Sequence, residues 1–337
     1  MNSPKIQKPE IIDQAYKRIE NYINNTPLLY SEILNKLMSS NVYFKMDAMQ
    51  KTGSFKLRGV LNSLLTLKEI RQMPKKIVSY STGNHALAMA YAAKLFDIHA
   101  RVYLPANVSS IKKHTARYYE AEVIEVETRA QAEELALQDK KKGFYYLHPS
   151  DNDEIIAGAG TMCYEALKTM QNYTITKPDA IFASCGGGGL LAGTYLAKEL
   201  LSPYSQVIGV EPQLANDAYK SLRANKIIRF SNSPKTIADG LRTLSISLRT
   251  FHYLKKLDGF YLLDEDSIYR WTAWIMQTTK VICEPSAAIC MAAASNWLKA
   301  HGPEKTVLIL ISGGNIDPAI YLDLFQRSYL EKLPYLQ

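Results

Sequence analysis

An α/β fold with mostly parallel strands is predicted by three features of the sequence. Short apolar runs rich in β-branched residues recur along it, turn residues follow each run, and each turn leads into an alanine- or leucine-rich stretch of helical length. The clearest pairs are Lys76 to Ser79 with Ala86 to Phe96, Ala100 to Leu104 with Ile111 to Glu120, and Ala180 to Ser184 with Leu190 to Leu201. Val207 to Glu211 and Val307 to Ile311 read as further strands. Strands that alternate with helices pair in parallel through right-handed crossovers and are covered on both faces. Ligands of such sheets sit at the carboxyl ends of the strands. The segment from about Arg71 to Pro149 is expected to form its own small sheet, and the rest a larger one.

With 337 residues, 47% of them apolar, the chain can fill one large or two moderate cores, which excludes disorder. Lysine plus arginine (40) exceeds aspartate plus glutamate (32) by 8, but the basic residues are scattered or in short runs such as Lys140-Lys141-Lys142. A nucleic-acid surface needs a denser stripe with interleaved aromatics, so no nucleic-acid partner is expected. The longest apolar stretches, around Thr306 to Ile311 and Leu190 to Ala197, are far short of the roughly 20 residues that cross a bilayer. The opening MNSPKIQKPEII lacks the apolar region of a secretory signal, so the chain is expected to start near Met1 and remain cytoplasmic. With SYLEKLPYLQ closing the sequence, no added regulatory domain is expected. Cys163, Cys185, Cys283 and Cys290 lie in apolar surroundings without CxxC spacing and read as buried reduced thiols.

Ser184-Cys185-Gly186-Gly187-Gly188-Gly189-Leu190 stands between a strand and a helix. Four residues without side chains let backbone N–H groups turn toward one anion, and the helix adds its positive end, so the stretch reads as a phosphate cup. The lysine and hydroxyl of a P-loop are absent, as is the acid of a dinucleotide fingerprint, so a monophosphate is favoured. A tight packing turn is the alternative. In Lys51-Thr52-Gly53-Ser54-Phe55-Lys56-Leu57-Arg58-Gly59, Lys56 sits beside an aromatic. Apolar and cationic neighbours lower an amine's pKa, which makes Lys56 the candidate nucleophile; a solvated helical lysine is the alternative. Ser81, Thr82, Gly83, Asn84 and His85 follow a strand and open a helix, forming a nest suited to an α-carboxylate or a plain capping turn. Ser312, after the last apolar strand, offers a hydroxyl to a buried ring atom or merely ends the strand. A phosphorylated aldehyde that forms imines with amino acids needs all four features, and pyridoxal 5′-phosphate is the cofactor with that set of needs.

Further stretches run in a recognisable order: TGSFKLRG (Thr52 to Gly59), STGNH (Ser81 to His85), His148-Pro149, IIAGAGT (Ile155 to Thr161), CGGGGLLAG (Cys185 to Gly193), GVEP (Gly209 to Pro212), IADG (Ile237 to Gly240), Glu284-Pro285-Ser286 and SGGNID (Ser312 to Asp317). Together they resemble the serine/threonine dehydratase and serine racemase family of fold-type II pyridoxal-phosphate enzymes, over essentially the whole chain. Cysteine synthases share the broad fold but carry a Lys-Asp-Arg pattern where this chain reads Lys56-Leu57-Arg58.

The resemblance implies a tryptophan synthase β-like architecture of two domains, each with a mostly parallel twisted sheet flanked by helices. Residues 1–66 plus 151–337 would form the large cofactor-binding domain, and residues 67–150 a small mobile domain that closes on substrate. Lys56 would carry the cofactor on its amine, with Phe55 against the ring, Gly186, Gly187, Gly188 and Gly189 on the phosphate, Asn84 on the ring's 3′-oxygen and Ser312 at the pyridine nitrogen. Ser81 to His85 would hold the substrate carboxylate, and the freed Lys56 would remove the Cα proton. The implied reaction is β-elimination of L-threonine or L-serine to a 2-oxo acid and ammonia. Serine racemase activity is the same-class alternative. It needs an acid/base on the opposite face, supplied by serine in racemases where Thr82 stands here. Dehydratases of 3-hydroxyaspartate or of the hydroxyectoine pathway are further alternatives, and a catalytically inactive amino-acid-binding protein is the different-class one.

Two departures from the family pattern touch the substrate pocket: Ser150 follows His148-Pro149, and Ala159 replaces a common glutamine. Glu211 and Asp217, with the Ala215 carbonyl, match the family's site for Mg2+ or Ca2+; an acidic surface turn is the alternative. Lys51 and Thr52 resemble positions near a nucleotide site of racemases. A homodimer is a family expectation. Among the histidines only His85 is assigned to the site, as a neutral pocket wall. Trp271, Trp274 and Trp297 are assigned to the core.

Overall fold

The computed structural model describes residues 7–81, 83–106 and 108–334. Its strands are β1 (Leu28–Tyr30), β2 (Asn41–Met46), β3 (Lys76–Tyr80), β4 (His99–Pro105), β5 (Glu122–Val126), β6 (Tyr145–Tyr146), β7 (Ala180–Ser184), β8 (Gln206–Pro212), β9 (Gly259–Leu263) and β10 (Thr306–Ile311). They form a six-stranded sheet in the order β1-β2-β10-β7-β8-β9 and a four-stranded sheet in the order β5-β4-β3-β6. Every pairing is parallel except that of β1 with β2. The antiparallel β1 and the two-residue β6 lack the long β-branched runs that mark the other strands, so they stand out poorly in the sequence.

Both faces of the large sheet are buried, as the continuous apolar runs require. Phe182, Val307, Ile309 and Ile311 point into one core with the helix Pro285–His301, while Ile181, Ala183, Leu308 and Leu310 point into the other, with the helices Asp153–Asn172 and Gly189–Leu201. The alternation is the two-residue period of a strand. Trp271, Trp274 and Trp297 belong to the first core, and all four cysteines are buried and free. Among the described residues no helix is long and apolar enough to cross a membrane.

The glycines of IIAGAGT serve helix packing. A Cβ on Gly160 would lie 2.5 Å from the Gly193 carbonyl oxygen, and one on Gly158 would lie 2.4 Å from that of Arg58. Beneath this contact Arg58, wholly buried, donates to Asp47 at 2.6 and 2.9 Å and to Glu165 at 3.0 and 3.1 Å, and Lys45 also pairs with Glu165. Two cations meet two carboxylates, so the charges of this buried cluster balance. The cluster anchors the start of the helix Lys56–Glu69 to β2 and to the helix Asp153–Asn172.

Candidate active site

Four loops meet at the carboxyl ends of β3, β7 and β10. The backbone N–H of Phe55 donates to the Ser312 carbonyl at 2.9 Å, and Ser54 bridges Gly313, so the lysine motif is pinned to the turn after β10. Asn315 donates to the Thr52 carbonyl at 2.9 Å and to Asn84 Oδ1 at 3.0 Å. Asn84 in turn donates to Glu284 Oε1 at 2.7 Å. Phe55, Lys56, Ser81, Asn84, His85, the four glycines 186–189 and Ser312 border one cavity of about 270 Å3. Thr82 lies outside the described residues, and Gly83 is not among the residues that border the cavity.

Lys56 is the first residue of its helix, and its amine donates to the Pro149 carbonyl at 3.0 Å and lies 5.0 Å from the centre of the Phe55 ring. Its pKa is lowered to about 8, by burial first and then by the Arg129 charge, with Glu284 opposing. The sequence points to cationic neighbours along the chain, but Arg58 is spent on Asp47 and Glu165, and the cation that acts is Arg129, 73 residues away. Lowered basicity leaves a free amine fraction of about a tenth at neutral pH, against well under a hundredth for an ordinary lysine.

His85 Nε2 faces the Leu147 carbonyl at 3.1 Å and must donate to it, which leaves Nδ1 without a proton and without a partner. Burial, then the Lys56 charge, push its pKa down to about 3, so the ring is a neutral wall. His148 also borders the cavity, contrary to the assignment of His85 alone. Its Nδ1 accepts from the N–H groups of Ser150 (3.1 Å) and Asp151 (2.7 Å), which shapes the turn carrying Pro149, and burial lowers its pKa to about 4.

The glycine turn combines both readings of its sequence. A Cβ on Gly187 would lie 2.3 Å from Ser150 Oγ, and one on Gly188, where φ is +81°, would lie 2.8 Å from Thr250 Cβ. Packing therefore demands two of the glycines. The turn's other side faces the cavity and opens the helix Gly189–Leu201, whose first N–H groups have no acceptor within the helix.

Sequence patterns assign no role to Arg129, Glu133, Arg229 and Glu284, all of which reach the cavity. Arg229 spans to Glu133 at 2.7 Å, and Arg129 Nη1 is buried without a hydrogen-bond partner. Burial raises the pKa of Glu284 to about 7, with the Lys112 charge opposing the shift. Only the Glu-Pro-Ser stretch marks Glu284 in the sequence, and nothing local marks the arginines.

Glu211, Ala215 and Asp217 do not border the cavity; they lie behind it, linked through Thr243, which lines the wall and donates to Asp217 Oδ1 at 3.2 Å. All three are wholly buried, which removes the surface-turn reading. Glu211 accepts from the Ala218 and Tyr219 N–H groups at 3.1 and 2.9 Å, while Asp217 Oδ2 has no partner. Burial pushes both carboxyls up, Asp217 to about 7. Two oxygen donors, one of them orphaned, suit a hard cation completed by carbonyls and water. Among the described residues no group of three or more histidine, cysteine, aspartate or glutamate side chains forms a metal cluster.

The family model described as pyridoxal-phosphate dependent enzyme matches residues 19–313. The serine racemase of Dictyostelium discoideum is 38% identical over 311 residues, 91% of this chain and 94% of the relative. The L-threo-3-hydroxyaspartate ammonia-lyase of Saccharomyces cerevisiae is 34% identical over 322 residues, 94% of this chain and 95% of the relative. Among solved structures, the threonine deaminase of T.th. superposes with a TM-score of 0.85 at 38% identity, covering 92% of this chain and 99% of the other.

Proposed function

This chain belongs to the family of pyridoxal-phosphate-dependent enzymes, and from that premise we propose that it removes the hydroxyl of a β-hydroxy amino acid, yielding a 2-oxo acid and ammonia. The observation that carries the reading is the placement of a buried amine of lowered basicity, Lys56, in one cavity with the glycine turn and the nest that opens at Ser81.

The residues present fit the cofactor. The unpaired N–H groups after Gly188 suit its phosphate, Lys56 its aldehyde, Phe55 its ring face and Ser312 its pyridine nitrogen. Asn84 keeps one amide proton and one lone pair beyond its bonds to Glu284 and Asn315 for the 3′-oxygen. Bound there, pyridoxal phosphate supplies an electron sink for negative charge at the substrate Cα.

The chain's own groups do the rest. Ser81 Oγ accepts from the N–H groups of Gly83 (2.9 Å) and Ala86 (3.2 Å), which fixes the turn and leaves the intervening N–H groups of Asn84 and His85 to face an incoming carboxylate. Lys56 Nζ, released from its covalent duty, takes the Cα proton as a tethered base. His85 stays neutral and takes no proton from Lys56. Ser312, a neutral hydroxyl, leaves the sink soft, which favours elimination over transamination. Residues 67–150 act as the closing unit and residues 1–66 with 151–337 as the fixed one; the four-stranded sheet, from Lys76 to Tyr146, falls wholly within the first.

A second reading is favoured by the unpartnered Arg129 Nη1, which suits a side-chain carboxylate and so 3-hydroxyaspartate. The test is a panel of L-serine, L-threonine and L-threo-3-hydroxyaspartate, with 2-oxo acid detection and separation of D-serine. Elimination is expected, abolished together with the cofactor's visible absorbance band in Lys56→Ala. Under the second reading Arg129→Leu lowers kcat/KM for the dicarboxylate by about tenfold or more relative to L-serine. Retained turnover in Lys56→Ala, or D-serine as the sole product, defeats the proposal.

A further inference from the structure

Lys112 is a wholly buried lysine whose role lies outside the reaction just described. It sits on the helix Ser110–Tyr118, between two strands of the four-stranded sheet, yet its ammonium ends among acids carried by the other half of the molecule. Nζ lies 2.6 Å from Asp239 Oδ2 and 3.8 Å from Glu284 Oε2. Glu284 Oε2 has no hydrogen-bond partner, so this cation compensates it. The lysine stem passes directly behind the carboxylate nest: a Cβ on Gly83, where φ is +133°, would lie 2.3 Å from Lys112 Cδ. Lys112 itself does not border the cavity.

We propose that Lys112 is a positioning residue: seated between Asp239 and Glu284, it fixes Gly83 from behind and so holds Asn84, which follows it, where the helix start meets the substrate carboxylate. A buried ammonium is tolerated only with its counter-charges in place. Moving the small-sheet half away hands Lys112 to water and leaves Asp239 and Glu284 facing each other as like charges. The closed arrangement is thus the one in which all three are compensated. Glu284 passes the constraint on, because its other oxygen accepts from Asn84 Nδ2 at 2.7 Å. The stem passes it on as well, by filling the space that only a glycine at 83 leaves free.

The inference rests on the proposed reaction, and the experiment separates the two. Wild type, Lys112→Met and Asp239→Asn, each loaded with pyridoxal phosphate, are compared for KM and kcat on the substrate that wild type accepts. Amide hydrogen exchange of residues 83–87 is followed in the presence of L-alanine, which has the amine and carboxylate but no leaving group. Expected in both variants are a KM raised about tenfold or more, a kcat within about threefold, an unchanged cofactor absorbance band and faster exchange at 83–87. Unchanged KM and exchange in a folded Lys112→Met overturns the proposal. Equal collapse of KM, kcat and the absorbance band in both variants also overturns it, since that marks a purely structural lysine. If Lys112→Met does not fold, Asp239→Asn, altered at the partly exposed partner, decides by the same criteria. A wild type inactive on the whole panel would defeat the reaction, while the exchange comparison would still judge Lys112.

Discussion

Asn84 donates to the Glu284 carboxylate at 2.7 Å across 200 residues of chain. The bond joins the first residue of the helix Asn84–Leu95, which follows β3, to the residue that caps the helix Pro285–His301, and thereby the two sheets. It also ties the geometry of a site residue to the charge of a buried acid.

Glu284 ionises near pH 7, and its charged form accepts more strongly from Asn84 and pairs with Lys112. Tighter substrate binding is therefore expected as pH rises through about 7. In Glu284→Gln, which keeps an acceptor but no charge, that rise in kcat/KM disappears. A pH profile of both proteins, measured from about pH 6 to about pH 9, checks this.

Gly187→Ala places a methyl 2.3 Å from Ser150 Oγ, so the glycine turn must shift. Cofactor affinity is expected to fall by about tenfold or more, as judged by titration of the absorbance band. Adding Ser150→Gly removes the colliding atoms and should restore most of the affinity. No recovery in the double variant would show that a packing clash is not the cause.

Arg58→Met leaves Asp47 with Thr26 as its hydrogen-bond donor and no paired cation, while Lys45 still serves Glu165. Breaking a buried charge cluster from one side costs about 3–5 kcal/mol, and the surviving lysine puts this case near the lower end. Urea denaturation should show a loss of about 3 kcal/mol. A loss under about 1 kcal/mol would mean that the cluster relaxes.

Asp217 has a folded-state pKa of about 7 against an ordinary 3.8, so folding favours its protonated form. Its contribution to stability is complete below about pH 4 and is lost as pH rises through about 7. Chelator-treated protein should therefore melt at lower temperature at pH 8 than at pH 5, with a shallower slope in Asp217→Asn. Mg2+ or Ca2+ held by Glu211 and Asp217 would require the ionised form, so added cation is expected to reverse the trend. At about a hundred times its dissociation constant it should raise the melting temperature by about 4 °C at pH 8. A cation response that survives Asp217→Asn would place the ion elsewhere.

Much of this architecture is legible before any fold is known. The pairs of strand and helix from Lys76 to Phe96 and from Ala180 to Leu201 follow from local periodicity, which acts over a few residues. The motifs around Lys56, Ser81, Gly186 and Ser312 are local as well, because glycines, hydroxyls and a strand end mark backbone that approaches a ligand. Those stretches determined the α/β class, the cofactor chemistry and the candidate nucleophile.

Tertiary structure alone decided which distant groups set the chemistry of those motifs. Arg129 rather than Arg58 acts on Lys56, Glu284 receives Asn84, and Lys112 crosses from one sheet's helices to the acids of the other. No periodicity announces such contacts. Electrostatic shifts depend on distance through space and on the removal of water, and both are properties of the packed chain.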